Sequence, residues 1–229
     1  MESFRTLNNA PKTNQNPASK FLEWKSNEKC FAYYDKQKKE NVLIDLPIKI
    51  QFLEEFHTVK GWNDKNQTGI YSNEVKFIST EPLTVKMFNG MEVATGLYND
   101  IRLKIIDAGG KYHKSVYFLL DGELVNLQMK GAVVASYGLF ANGDKLKKIN
   151  GNNNTFESNF IEINSFEELK KGATKYTVPI FQKGSVYTKE DLQKCIDAYK
   201  IVSNYYNKYT AKAIEVIDAE VVPSDDLDF

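Results

Sequence analysis

Two kinds of side chain interleave through the middle of the chain. Lys60, Trp62 and Lys65 fall in or beside a polar stretch bounded by Gly61 and Gly69, and Tyr71 and Lys76 follow on the next extended segment. Lys86 and Phe88 precede the pair Asn89-Gly90, while Lys111, Tyr112, Lys114 and Tyr117 occupy a later run of alternating residues. Ammonium groups neutralise phosphates, and flat rings stack on unpaired bases for about 1–3 kcal/mol each. Together these residues are candidates for holding a single-stranded nucleic acid without reading its sequence. Trp62 is the most informative, because a Trp flanked by Asn, Asp and Lys has little reason to enter a core. Strands are rich in rings anyway, so Phe77, Phe118 and Tyr112 read first as packing residues.

The end of the chain carries the opposite charge. The last basic residue is Lys212, and Glu215, Asp218, Glu220, Asp225, Asp226 and Asp228 follow it. The chain as a whole balances 30 bases against 30 acids, so residues 1–214 hold 24 acids and a net charge of +6. A basic body with an acidic end points to a polyanionic partner, although acidic ends also serve solubility alone. Asp225, Asp226, Asp228 and the ring of Phe229 form a compact anion with an apolar tip. An apolar pocket with a cation at its mouth can capture such an end. The same anion can stand in for phosphates in the chain's own basic groove, where tethering gives it an effective concentration on the order of millimolar.

Signatures of other chemistries are missing. There is no glycine-rich phosphate loop, no dinucleotide fingerprint and no Gly-x-Ser-x-Gly elbow. His57, His113, Cys30 and Cys195 stand too far apart for a metal site, so no metal, cofactor or catalytic residue is expected, and both histidines read as solvated. Scattered carboxylates leave a metal-dependent nuclease as an alternative.

The elements that must position the lysines and rings are mainly strands. Residues 1–20 are rich in Asn, Pro, Thr and Ser and read as a mobile arm. From residue 30 a period of two sets in, clearest from Val42 to Phe52, with Pro47 marking a bend or an edge. Strands are expected at about 70–79, 83–88, 111–120, 123–128, 155–164 and 174–182, with hairpin turns at Asn89-Gly90 and Asp121-Gly122. A short helix spans roughly Leu97 to Asp107 and ends at Gly109-Gly110. Residues 129–141 suit helix or strand, and Asn150 to Asn154 a loop. The strongest helix is 188–209, opened by a Thr188/Asp191 cap and carrying Tyr199, Tyr206 and Tyr209 on one side. That side suits packing on the body or homodimerisation.

The 229 residues, 42% hydrophobic and 26% charged, describe an ordinary globular chain. No apolar run approaches the roughly 20 residues of a membrane span, and no signal peptide opens the chain. With two cysteines, this points to a cytoplasmic protein with no membrane partner. The fold expected is mainly β (α+β). It is an OB-fold-like five-stranded Greek-key barrel with insertions, a C-terminal helix and a disordered acidic tail. The arm would be 1–20, the single domain 30–212 and the tail 213–229.

The chain resembles the single-stranded DNA-binding proteins of tailed bacteriophages, in particular those of the crAss-like group. The resemblance rests on Asp225-Asp226-Leu227-Asp228-Phe229 and on segments from Gly61-Trp62 to Val75, Gly96 to Ile101 and Gly109 to Tyr117. It covers about residues 40–140 and the last five. It implies an OB-fold, single-stranded DNA bound in the barrel groove, and roles in replication and recombination. By the same resemblance Asp225, Asp226, Asp228 and Phe229 dock replication or recombination proteins. Bacterial relatives end in Pro-Phe, whereas Asp228 precedes Phe229 here, which favours partners from the same genome. The competing reading is a virion structural or assembly adaptor protein.

Overall fold

The computed structural model describes the backbone of residues 16–147 and 155–220. Within them the order is β1 (Lys20–Lys25), β2 (Cys30–Asp35), β3 (Glu40–Ile44), β4 (Ile48–Asn63), β5 (Thr68–Ser72), β6 (Leu83–Met87) and β7 (Glu92–Gly96). Then follow α1 (Tyr98–Asp107), β8 (Gly110–Leu120), β9 (Glu123–Met129), α2 (Ala132–Lys147) and α3 (Thr155–Ser158). The chain closes with β10 (Asn159–Lys171), β11 (Thr174–Val186) and α4 (Lys189–Glu220). The acidic residues Asp225, Asp226 and Asp228, with Phe229, lie outside the described residues, as does the loop expected at Asn150 to Asn154.

The strands form one mixed sheet in the order β3-β2-β1-β9-β8-β4-β5-β6-β7. β1 and β9 run parallel, and the other pairs are antiparallel. β10 joins the outer edge of β4 at Ile48–Ile50, and β11 pairs with β10. The order strand–strand–strand–helix–strand–strand expected for a barrel is present as β4, β5, β6, α1, β8 and β9, with β7 added. The barrel itself is not formed: the free edge of β9 is taken by β1, so β9 cannot close onto β6, and the sheet stays open.

Local sequence accounts for the turns. Asp121 and Gly122 both take positive φ, +52° and +81°, the hairpin geometry that Asp-Gly tolerates best. Thr188 Oγ1 accepts from the Asp191 amide while Asp191 accepts from Thr188, closing the cap of α4. Residues 129–141 resolve into the end of β9 and the start of α2, because Tyr137 and Ala141, four apart, bury on the sheet. Three other expectations shift. Strand structure begins at Lys20, not residue 30, and Asn16 and Ala18 already pack on the body, so the expected arm is shorter than 1–20. β10 and β11 make a longer hairpin than expected. α4 runs on to Glu220, so residues 213–220, expected as tail, are helical.

Both faces of the sheet are covered in part. On one, Leu22, Phe31, Phe118 and Leu127 pack under α2, and Val59, Ile70 and Val85 pack under Ile101 and Ile105 of α1. On the other, Leu53, Phe56, Tyr117 and Leu119 pack under Cys195, Ala198 and Val202 of α4. Among the described residues no helix is long and apolar enough to cross a membrane.

Candidate nucleic-acid interface

The face that carries α4 is bare beyond it. A β-bulge between Phe52 and Glu54 resets the alternation of β4, so that Glu54, Phe56, Thr58, Lys60 and Trp62 share this face. Residues opposite one another across a ladder point the same way. Lys60 stands opposite Lys111 on β8 and opposite Tyr71 on β5, and Tyr71 stands opposite Lys86 on β6. Lys111, Lys60, Tyr71 and Lys86 therefore form a single row across four strands, at the roughly 4.8 Å spacing of a sheet. Glu92 of β7 ends the row.

The next row is aromatic. Trp62 stands opposite Gly69, and the Phe88 amide donates to the Gly69 carbonyl at 2.9 Å. The Phe88 ring lies over Gly69 and meets Tyr71 at 5.4 Å between ring centres. Trp62 is 51% exposed and Phe88 72%, far beyond what packing requires. The stretch 61–69, read as a loop, is a hairpin whose turn spans only 64–67; Lys65 sits exposed on that turn.

Lys60 is the innermost of the cations. Burial holds its ammonium below the usual lysine value, while the fields of Glu74 and Glu23 act the other way. Its Nζ reaches over β8 and β9 to lie 5.5 Å from the ring centre of Phe21 on β1. That contact means the sheet curls toward this face. Phe21, 40% exposed, adds a ring that sequence reasoning missed, although the alternation Phe21, Glu23, Lys25 marks it as outward-facing. No ion pair among the described residues engages Lys60, Lys65, Lys86 or Lys111.

Four other expected binding residues lie elsewhere, each for a physical reason. Lys114 points to the opposite face, where it pairs with Glu55 at 3.0 Å and lies over the Tyr137 ring. Tyr112, also on that face, is bonded to His57 Nδ1 at 2.6 Å, and burial pushes its hydroxyl up to about 12. Tyr117 shares the face of Lys60 but is wholly buried beneath α4, donating to Glu74 at 2.8 Å. Lys76 pairs with Glu54 at 2.6 Å. Both histidines differ from the solvated reading: His57 bonds Tyr112, and His113 is 6% exposed. Because a carbonyl oxygen only accepts, the His113 Nδ1 donates to Lys111 O at 3.0 Å, and burial keeps this imidazole below its usual value.

Beneath the edge of α4 the same face holds a buried polar chain. Gln128 Nε2 donates to Asn126 at 3.0 Å, Asn126 to Ser115 at 2.7 Å, and Ser115 to Glu74. Every donor in this chain points at the Glu74 carboxylate. Burial nevertheless pushes that carboxyl above the usual range, against the bonds from Ser115 and Tyr117.

The largest groove among the described residues, about 930 Å³, lies between β4 and α4, and of the expected binding residues only Lys76 lines it. The lysine–aromatic face is an open, curled surface instead. No group of three or more potential metal ligands occurs among the described residues. Comparison of the chain with protein families, with curated proteins and with solved structures finds no match.

Proposed function

We propose that the protein binds single-stranded DNA without sequence preference through the face formed by Phe21, Lys60, Trp62, Tyr71, Lys86, Phe88 and Lys111, with Lys65 at its rim. The observation that carries this reading is the pair of adjacent rows, one cationic and one aromatic, with rings exposed that no core demands. Phosphates meet the row from Lys111 to Lys86 while bases stack along Trp62, Phe88 and Tyr71. The order of β4, β5, β6, α1, β8 and β9 supports kinship with the five-stranded barrel in an opened form.

The acidic end fits the same scheme. α4 runs beside β4 in the chain direction, from Gln51 against Asp191 and Cys195 to Phe56 stacked on Tyr206. It therefore leads residues 221–229 toward the Lys60 end of the sheet. There the tail competes with DNA, and once displaced it recruits replication or recombination proteins, as in a phage-encoded protein working in its host's cytoplasm.

Titrating the intrinsic Trp fluorescence with oligo-dT at two salt concentrations tests the proposal. Trp62 should be quenched, and log affinity should fall linearly with log salt at about −0.7 per phosphate contact. Absence of quenching at low salt sinks the reading. Equal competition by duplex DNA would favour an adaptor role.

A further inference from the structure

We infer that the groove between β4 and α4 is the docking site for the chain's own N-terminal segment, residues 1–15, with Phe4 and Leu7 as its anchors. The groove exists because the sheet has a gap. The outer edge of β4 pairs with β10 at Ile48–Ile50 and is taken up again by Val75 at His57, and from 51 to 56 it has no ladder partner among the described residues. An extended segment can add to such an edge. The surroundings are apolar and open: Phe77 is 58% exposed, and Leu192, Ile196 and Tyr199 of α4 are each more than 40% exposed. At about 930 Å³ the space accepts several side chains, and large apolar surface left bare marks a binding site.

Reach and charge select the occupant. Asn16 is held by Tyr117, and Ala18 packs in the same cluster as Ala198 and Val202 of α4. From there the segment need only cross one helix, about 10 Å wide, and fifteen residues span up to about 50 Å. The acidic end is badly placed by comparison. Twenty helical residues separate Lys200 from Glu220, about 30 Å, and nine further residues could barely run back that far. The groove lining also carries Glu54, Glu55 and Glu157 against Lys76 and Lys200, a poor host for three aspartates. Residues 1–15 carry Arg5 and Lys12 against Glu2, and Phe4 and Leu7 stand out in an otherwise polar stretch.

A photo-crosslinking residue placed at position 4 of the full-length chain tests this. Crosslinks recovered by mass spectrometry at Phe77 or within residues 192–199 support it. Crosslinks on the Lys60–Phe88 face, or none within the chain, overturn it. A second reading uses Cys195, which lines the groove, in a Cys30→Ala background. F4D/L7D should speed its alkylation several-fold, and added peptide 1–15 should restore protection. An unchanged rate, or protection by peptide 221–229 instead, would reject the assignment. Neither readout involves DNA, so the result stands apart from the proposed function.

Discussion

The ring of Phe88 rests directly on the Cα of Gly69: a Cβ built at Gly69 would fall 2.4 Å from Phe88 Cε2. Only glycine leaves the strand surface low enough for that ring to lie flat between Trp62 and Tyr71. Gly69→Ala should therefore lift Phe88 and break the aromatic row. The expected result is a loss of oligo-dT affinity close to that of Phe88→Ala. Matching fluorescence titrations of the two variants check it, and an affinity for Gly69→Ala equal to the parent's would show the ring's position to be irrelevant.

Trp62→Ala and Phe88→Ala each remove one stacking surface. Each should weaken binding by about 1–3 kcal/mol. Neither should lower the melting temperature much, because both side chains are largely solvated. For Trp62→Ala the titration is followed by anisotropy of labelled oligo-dT. Tyr117→Phe is the contrasting case: it leaves Glu74 short of a donor, so it should destabilise by about 1–3 kcal/mol and leave affinity alone.

Much of this arrangement is readable in the chain, and the rest fails for identifiable reasons. Both hairpin turns, α1 and the cap of α4 follow from local residues, and Trp62 among Asn, Asp and Lys does prove exposed. Which lysines share a face does not follow from spacing, since the bulge at Phe52–Glu54 flips the parity of β4 midway. Lys111 and Lys114 are three apart on one strand and so point to opposite sides. The open sheet was hidden because β1, which blocks the edge of β9, pairs with it across about a hundred residues. Phe21 entered the interface through that same distant pairing.

The salt dependence separates the two classes of lysine. Lys60→Gln, Lys86→Gln and Lys111→Gln should each flatten the log–log salt slope by about 0.7, because each removes one phosphate contact. Lys76→Gln and Lys114→Gln should leave the slope intact, since Glu54 and Glu55 already hold those ammoniums. Lys114→Gln should instead destabilise the fold by about 1–3 kcal/mol by stranding a half-buried Glu55. Affinity titrations at four salt concentrations, together with urea melts, distinguish the two patterns.

Stability should also respond to pH through His113. Burial holds its folded imidazole below the ordinary value near 6.5, and the fields of Lys130 and Lys60 act in the same direction, against the bond to the Lys111 carbonyl and the field of Glu23. Below pH 6.5 the unfolded chain takes up a proton that the folded one refuses, so the unfolded state binds more protons and stability falls as pH falls. The contribution is complete above the unfolded value and is lost as pH drops through the folded one. Glu74, raised by burial, has the opposite sign, its contribution being complete at low pH and lost as pH rises. His113→Gln should therefore remove the acid-side loss and leave the Glu74 slope standing. Urea midpoints of parent and variant between pH 5 and 8 read this directly. A parent curve that the substitution leaves unchanged in shape would mean that His113 titrates alike in both states.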